Sequence, residues 1–137
     1  MILVSACLAG IKCRYDGKDN RCEYVIDLVS KGLAIPICPE QLGGLATPRD
    51  PAEQVGDKVI SIQKADFTAA FEKGARETLR LAQLVGADSA ILKQRSPSCG
   101  VSLIYDGSFE GKIIKGQGIT AKLLADNGLK LASEEDL

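Results

Sequence analysis

Residues 94–100 read Gln-Arg-Ser-Pro-Ser-Cys-Gly, directly after the apolar run Ala90-Ile91-Leu92. Cys99 in that segment is one of five cysteines, and the chain contains no histidine. Without imidazole there is no Ser-His-Asp or Cys-His mechanism, and no zinc site that uses His. A metal here must be held by thiolates and carboxylates. A general base must be Asp, Glu, Lys, Tyr or Cys.

Cys7, Cys38 and Cys99 share a context. Each lies just after a short apolar run, within a step or two of Gly, Pro or a polar residue. Three thiolates suit zinc with an open fourth position. They equally suit an iron–sulfur cluster in which one iron keeps an exchangeable site. No C-x-x-C pair is present, so spacing does not choose the metal. Cys13 is either a fourth ligand or a thiol near a substrate. Cys22, between Arg21 and Glu23, reads as incidental.

Glu40 lies two residues beyond Cys38, and Pro39 stiffens the link. Beside a metal and partly desolvated, its carboxylate is a candidate base for water. Ser96 and Ser98 are candidates to orient a water or donate to a substrate heteroatom. The bland alternative is a serine-rich turn around Pro97. Arg14, Tyr15, Asp16, Arg49, Lys93 and Arg95 fall in or beside the same loops. They are candidate contacts for a polar, anionic or heteroaromatic ligand.

The elements that must position these groups alternate. Ile2–Val4, Ala34–Ile37, Val59–Ile62, Ser89–Leu92 and Leu129–Leu131 read as strands, although Pro36 lacks the N–H that a central strand needs. Helices are expected over Tyr24–Lys31, Phe67–Val85 and Ile119–Asn127, each followed by glycine. In the second of these, Gly74 should cost about 1 kcal/mol relative to alanine. Leu103–Tyr105 and Lys112–Ile114 flank Asp106-Gly107 as a hairpin. Leu8–Asn20 and Pro39–Gly56 read as loops. The pattern predicts one domain over residues 1–137, an α/β Rossmann-like layered fold with a mainly parallel sheet and flanking helices. In such sheets ligands bind beyond the carboxyl ends of the strands, so thiols after three different strands should meet there.

Gly116-x-Gly118-x-x-Ala121 imitates a dinucleotide loop. Too little chain follows to complete the usual βαβ unit, and Glu134 and Glu135 lie in a charged tail. The helix N-terminus could still face an anion.

Composition narrows the setting. The chain is 45% hydrophobic and 26% charged, with a net charge of −1. That is an ordinary globule, and composition implies no basic patch for duplex nucleic acid. Apolar runs are too short to span a bilayer. The N-terminus lacks the basic region of a signal peptide, and the cysteine count is odd; a cytoplasmic protein without a disulfide framework is expected.

Together, Ser5-Ala6-Cys7-Leu8-x-Gly10, Cys13-Arg14-Tyr15-Asp16-Gly17, Cys38-Pro39-Glu40 with Gly43-Gly44-Leu45 and Pro48-Arg49, Ser96-Pro97-Ser98-Cys99-Gly100, and Gly116-x-Gly118-Ile119-Thr120-Ala121 form an ordered set. In order and spacing they resemble the small bacterial domain-of-unknown-function family 523, whose characterised branch comprises thiouracil desulfurases. The resemblance covers essentially the whole chain. It implies a [4Fe–4S] cluster held by Cys7, Cys38 and Cys99, and non-redox removal of sulfur from a small thiolated base. It also implies Glu40 as the catalytic glutamate and Ser96, or failing it Ser98, as the catalytic serine. Cys13, Arg14, Asp16 and Arg49 are then the expected substrate contacts. Two other functions remain: a sulfur carrier for nucleotide thiolation, and a non-enzymatic metal- or redox-binding protein.

Overall fold

The structure is a computed structural model that describes residues 1–137. β1 (Ile2–Ser5) runs into a 3-10 turn at Ala6–Ala9. α1 (Glu23–Ser30) then leads to β2 (Ala34–Ile37) and a one-turn helix, α2 (Pro39–Leu42). β3 (Ala52–Val55) and β4 (Lys58–Ser61) form a small antiparallel ribbon. α3 (Thr68–Val85) and β5 (Ser89–Leu92) follow, then a second ribbon of β6 (Leu103–Tyr105) and β7 (Ile113–Lys115). α4 (Ile119–Asp126), β8 (Lys130–Ser133) and a 3-10 turn at Glu134–Asp136 close the chain.

Four strands make the central sheet, all parallel, in the order β2-β1-β5-β8. Its short strands are apolar on both faces because helices cover both. Leu3, Ala90 and Leu92 pack with Ala82 of α3 and with Ala121 and Leu124 of α4. Val4 and Ile91 point the other way, toward Val25 of α1 and Leu8. Pro36 fits because β2 is an edge strand. Leu33 C=O accepts from Ile2 N–H, so alternation turns the nitrogen of Pro36 away from β1, where no ladder bond is missed.

The chain leaves β1 toward β2 on one side, and β5 and β8 lie on the other. A crevice therefore opens beyond the ends of β1 and β5, at the topological switch point. Cys38 follows β2 directly, Cys7 follows β1 by two residues, and Cys99 lies in the loop after β5.

The stretch from Pro39 to Gly56 is not wholly loop: it contains α2 and β3. α2 exists because α3 lets it approach. An ideal Cβ on Gly74 would lie 1.9 Å from the Pro39 carbonyl oxygen, and one on Gly43 would lie 2.0 Å from that of Ala70. Gly74 is thus the contact that seats the segment carrying Cys38 and Glu40. Gly74→Ala should lower stability by about 2 kcal/mol, overpacking outweighing the gain in helix propensity. A thermal melt several degrees below wild type is the expected reading; a higher one would mean that α2 can slide away freely.

Gly118 explains the nucleotide-like motif. A Cβ there would lie 2.4 Å from the Ser98 carbonyl. Ile119 N–H donates to Pro97 C=O, and the N–H groups of Thr120 and Ala121 donate to Ser98 C=O. The first N–H groups of α4 are bonded to the Cys99 loop rather than turned toward an anion.

Candidate active site

A cavity of about 460 Å³ occupies the crevice, within the range of small-molecule sites. Cys7, Cys13, Cys38 and Cys99 line it together with Glu40 and Ser96. Four thiols from three segments of the chain, those after β1, β2 and β5, line one cavity. No group of three or more Cys, Asp or Glu side chains is drawn tightly enough for one metal ion. The donor set, thiols without imidazole, matches the chemistry of an iron–sulfur group, in which each iron takes its own sulfur.

The thiols differ electrostatically. Cys13 is buried, with its carbonyl 3.9 Å from Cys38 Sγ. Hydrogen bonding to Cys38 and Cys7, and then burial, push its thiol far up. The same contacts lower the partners. Cys38 is held down at about 7, by Cys13 first and then by the Gln41 N–H and the Arg49 cation, against burial. Cys7 is lowered by Cys13, then by Asn20 and Lys93. Burial pushes Cys99 up to about 12, with Ser5 opposing.

α2 places Glu40 over these thiols. Burial raises its carboxyl above the usual range, and the Arg49 guanidinium opposes the shift. Arg49 Nε donates to Glu40 Oε1 at 3.0 Å, Nη1 to Ala46 C=O and Thr47 Oγ1, and Nη2 to Cys13 C=O at 2.9 Å. Arg49, its side chain only 6% exposed, therefore fixes Glu40 and the Cys13 loop together. Arg49→Met should cost about 3 kcal/mol, because Glu40 would lose its cation while mostly buried. Removing that cation favours the neutral carboxyl, so the acid limb of any Glu40-dependent rate should move to higher pH. A pH–rate profile checks the shift.

The two serines separate. Ser96 lines the cavity, and its Oγ accepts from the N–H groups of Ser98 and Cys99. Its own proton stays available to a ligand. Ser98 lies apart from the cavity: it is 1% exposed, and its Oγ sits 2.9 Å from Thr120 Oγ1. Asp16 also lies outside the lining. It accepts from Arg14 and from Lys18 N–H, and so shapes the loop that presents Arg14 to the cavity.

Sequence reasoning passed over Ser5, Asn20, Gln94 and Gln54. Gln94 is buried, and its Oε1 accepts from the N–H groups of Val101, Ser102 and Leu103. One side chain thus folds the loop that aims Cys99. Gln54 of β3 braces that loop, its Nε2 donating to Pro97 and Gln117 carbonyls. Ser5, a polar residue directly after an apolar strand run, carried a signal. The two glutamines carried none, since their partners lie across loops.

Architecture and cavity together define an open α/β-sheet protein with a thiol-rich site at its switch point, suited to a sulfur-ligated metal group and a small ligand. The chain belongs to the 2-thiouracil desulfurase family, whose model matches residues 2–136. It is 44% identical over 147 aligned positions to the uncharacterized protein YbbK of Bacillus subtilis (strain 168), covering 100% of this chain and 97% of that one. It is also similar to the solved structure of a [4Fe-4S]-dependent thiouracil desulfidase, TudS, with 43% identity and a TM-score of 0.95 over 99% of this chain and 91% of that chain.

Proposed function

We propose that this protein hydrolyses the C–S bond of a small thiolated heterocycle of the thiouracil kind, using a [4Fe–4S] cluster held by Cys7, Cys38 and Cys99. The observation that carries this reading is a single cavity lined by four thiols and a largely buried glutamate, in a chain without histidine. Family membership and the likeness to an iron–sulfur thiouracil desulfidase support it.

When bound, the cluster supplies a thiophilic Lewis acid for the substrate sulfur. Glu40 is the base. Its carboxylate accepts a proton from water while the water oxygen bonds to the thiocarbonyl carbon. Ser96, its proton uncommitted, orients that water or donates to the ring. Glu40 then passes its proton to the sulfur, the C–S bond breaks with the bonding pair going to sulfur as hydrosulfide, and the adduct hydroxyl loses its proton as the carbonyl forms. Thiocarbonyl and water become carbonyl and hydrogen sulfide, with no net electron transfer. Arg14 and Arg49 set the polar edge of the cavity, and Cys13 donates hydrogen bonds to neighbouring ligand sulfurs. Free thiols persist in a reducing compartment, which fits a cytoplasmic site of action. No helix is long and apolar enough to cross a membrane.

Anaerobic reconstitution with iron and sulfide tests this reading. The expected product is brown, holds about four irons per chain, and consumes 2-thiouracil absorbance with equimolar hydrosulfide release. A colourless zinc protein, or a loaded cluster without turnover, overturns it.

A further inference from the structure

Lys93 opens the segment between β5 and the Cys99 loop and is one of four cations that line the cavity. Arg49 spreads its donors over Glu40, Ala46, Thr47 and Cys13. Arg14 bonds Asp16, Asn20 and the Asp19 carbonyl, all within its own loop, and Arg95 bonds Glu135. An ammonium has three donors. Lys93 Nζ has two protein acceptors, Glu134 Oε2 at 2.8 Å and the Gln94 carbonyl at 3.0 Å. Lys93 lines the cavity, and the third donor of its Nζ has no protein acceptor.

The placement is built. Lys93 N–H donates to Ser5 Oγ at 2.9 Å, which ties the ends of β1 and β5 at the switch point. Glu134 grips the segment twice, since its other oxygen accepts from Gln94 N–H at 2.7 Å. The turn that carries Glu134 is closed by a capping box between Ser133 and Asp136. The C-terminal turn is therefore part of the site's framework.

We propose that Lys93 is a cation of the active site fixed at the junction of β1 and β5, positioned by Glu134, and that it offsets the negative charge gathered there when sulfur leaves. This rests on the cluster-dependent desulfuration proposed above. With three cysteine thiolates the cluster is already a net anion, and a departing hydrosulfide adds further negative charge, where an oriented cation is most effective.

The test uses reconstituted wild type, Lys93→Met, Lys93→Arg, Glu134→Gln and the double variant Lys93→Met with Glu134→Gln. The readouts are the reduction midpoint of the cluster, followed by EPR, and steady-state rates on 2-thiouracil. A nearby cation favours the reduced, more negative cluster, so Lys93→Met should lower the midpoint and Lys93→Arg should hold it. In Lys93→Met, kcat should fall about tenfold or more, with a smaller change in KM. Glu134→Gln should lower kcat in the wild-type background and add little in the Lys93→Met background. A merely structural Lys93 would lower the melting temperature without moving the midpoint. If Lys93→Met does not fold, Lys93→Gln takes its place. A loaded charge-removing variant with the wild-type midpoint overturns this proposal alone. A wild-type chain that takes up no cluster overturns the underlying reading as well.

Discussion

Glu40→Gln should take up the cluster normally and lose about 10²–10⁴-fold in kcat, the usual worth of a positioned general base. Gln keeps the shape of the side chain and leaves an oxygen for Arg49 Nε. Arg49 retains its bonds to Ala46, Thr47 and Cys13, so the loop around the base should hold. The pH dependence carries the stronger test. Burial raises the Glu40 carboxyl above the ordinary glutamate range. A base must be unprotonated, so wild-type kcat/KM should fall as pH drops through that raised value, and the limb should vanish in Glu40→Gln. Stability runs the opposite way. The unfolded chain gives up this proton at lower pH than the folded one, so Glu40's contribution is full below the unfolded value and lost as pH rises through the folded one. The native protein is thus least favoured by Glu40 where the base is active. Unchanged rates in Glu40→Gln would remove it from the chemistry and leave it a structural partner of Arg49.

Much of this site is written locally. Cys7 and Cys38 lie just past apolar runs, and such runs become strands in an α/β sheet whatever lies elsewhere. Once the strands are parallel, the ends that carry function share one edge. Convergence of thiols far apart in the chain follows from periodicity and connectivity. The absence of histidine likewise restricts the chemistry before any coordinate is known.

What stayed hidden depends on long-range contacts. Ser96 and Ser98 look equivalent in the string, yet Thr120, twenty-two residues past Ser98, captures one of them. α2 is only four residues long and starts at a proline, too short for a periodic signal. Its existence is registered in Gly74, which looks like a blemish in α3 until the Pro39 carbonyl is seen against it. Glu134 reads as part of a charged tail, and its role appears only when β8 is set beside β5. Local pattern places backbone elements; the choice between neighbouring polar side chains is made by residues distant in sequence.

The division of labour among the thiols gives the second large effect. Cys7→Ser, Cys38→Ser and Cys99→Ser should each lose most of their iron and essentially all turnover, whereas Cys13→Ser should keep its iron. Cys38, held down at about 7, and Cys7, also lowered, are the thiols most ready to ionise. Cys13 is pushed up by the hydrogen bonds that lower them, which makes it the donor of the group. Serine preserves an O–H donor at that place but is a poor ligand for iron, so Cys13→Ser separates the two roles. Cys99, pushed up to about 12 by burial, needs the metal to lose its proton. Cluster assembly must therefore release protons, and loading should strengthen as pH rises through the Cys38 value of about 7. Iron and sulfide counts on anaerobically reconstituted variants decide the assignment. Iron retained by Cys7→Ser and lost by Cys13→Ser would transfer the third ligand from Cys7 to Cys13 and recast Cys7 as the hydrogen-bonding thiol.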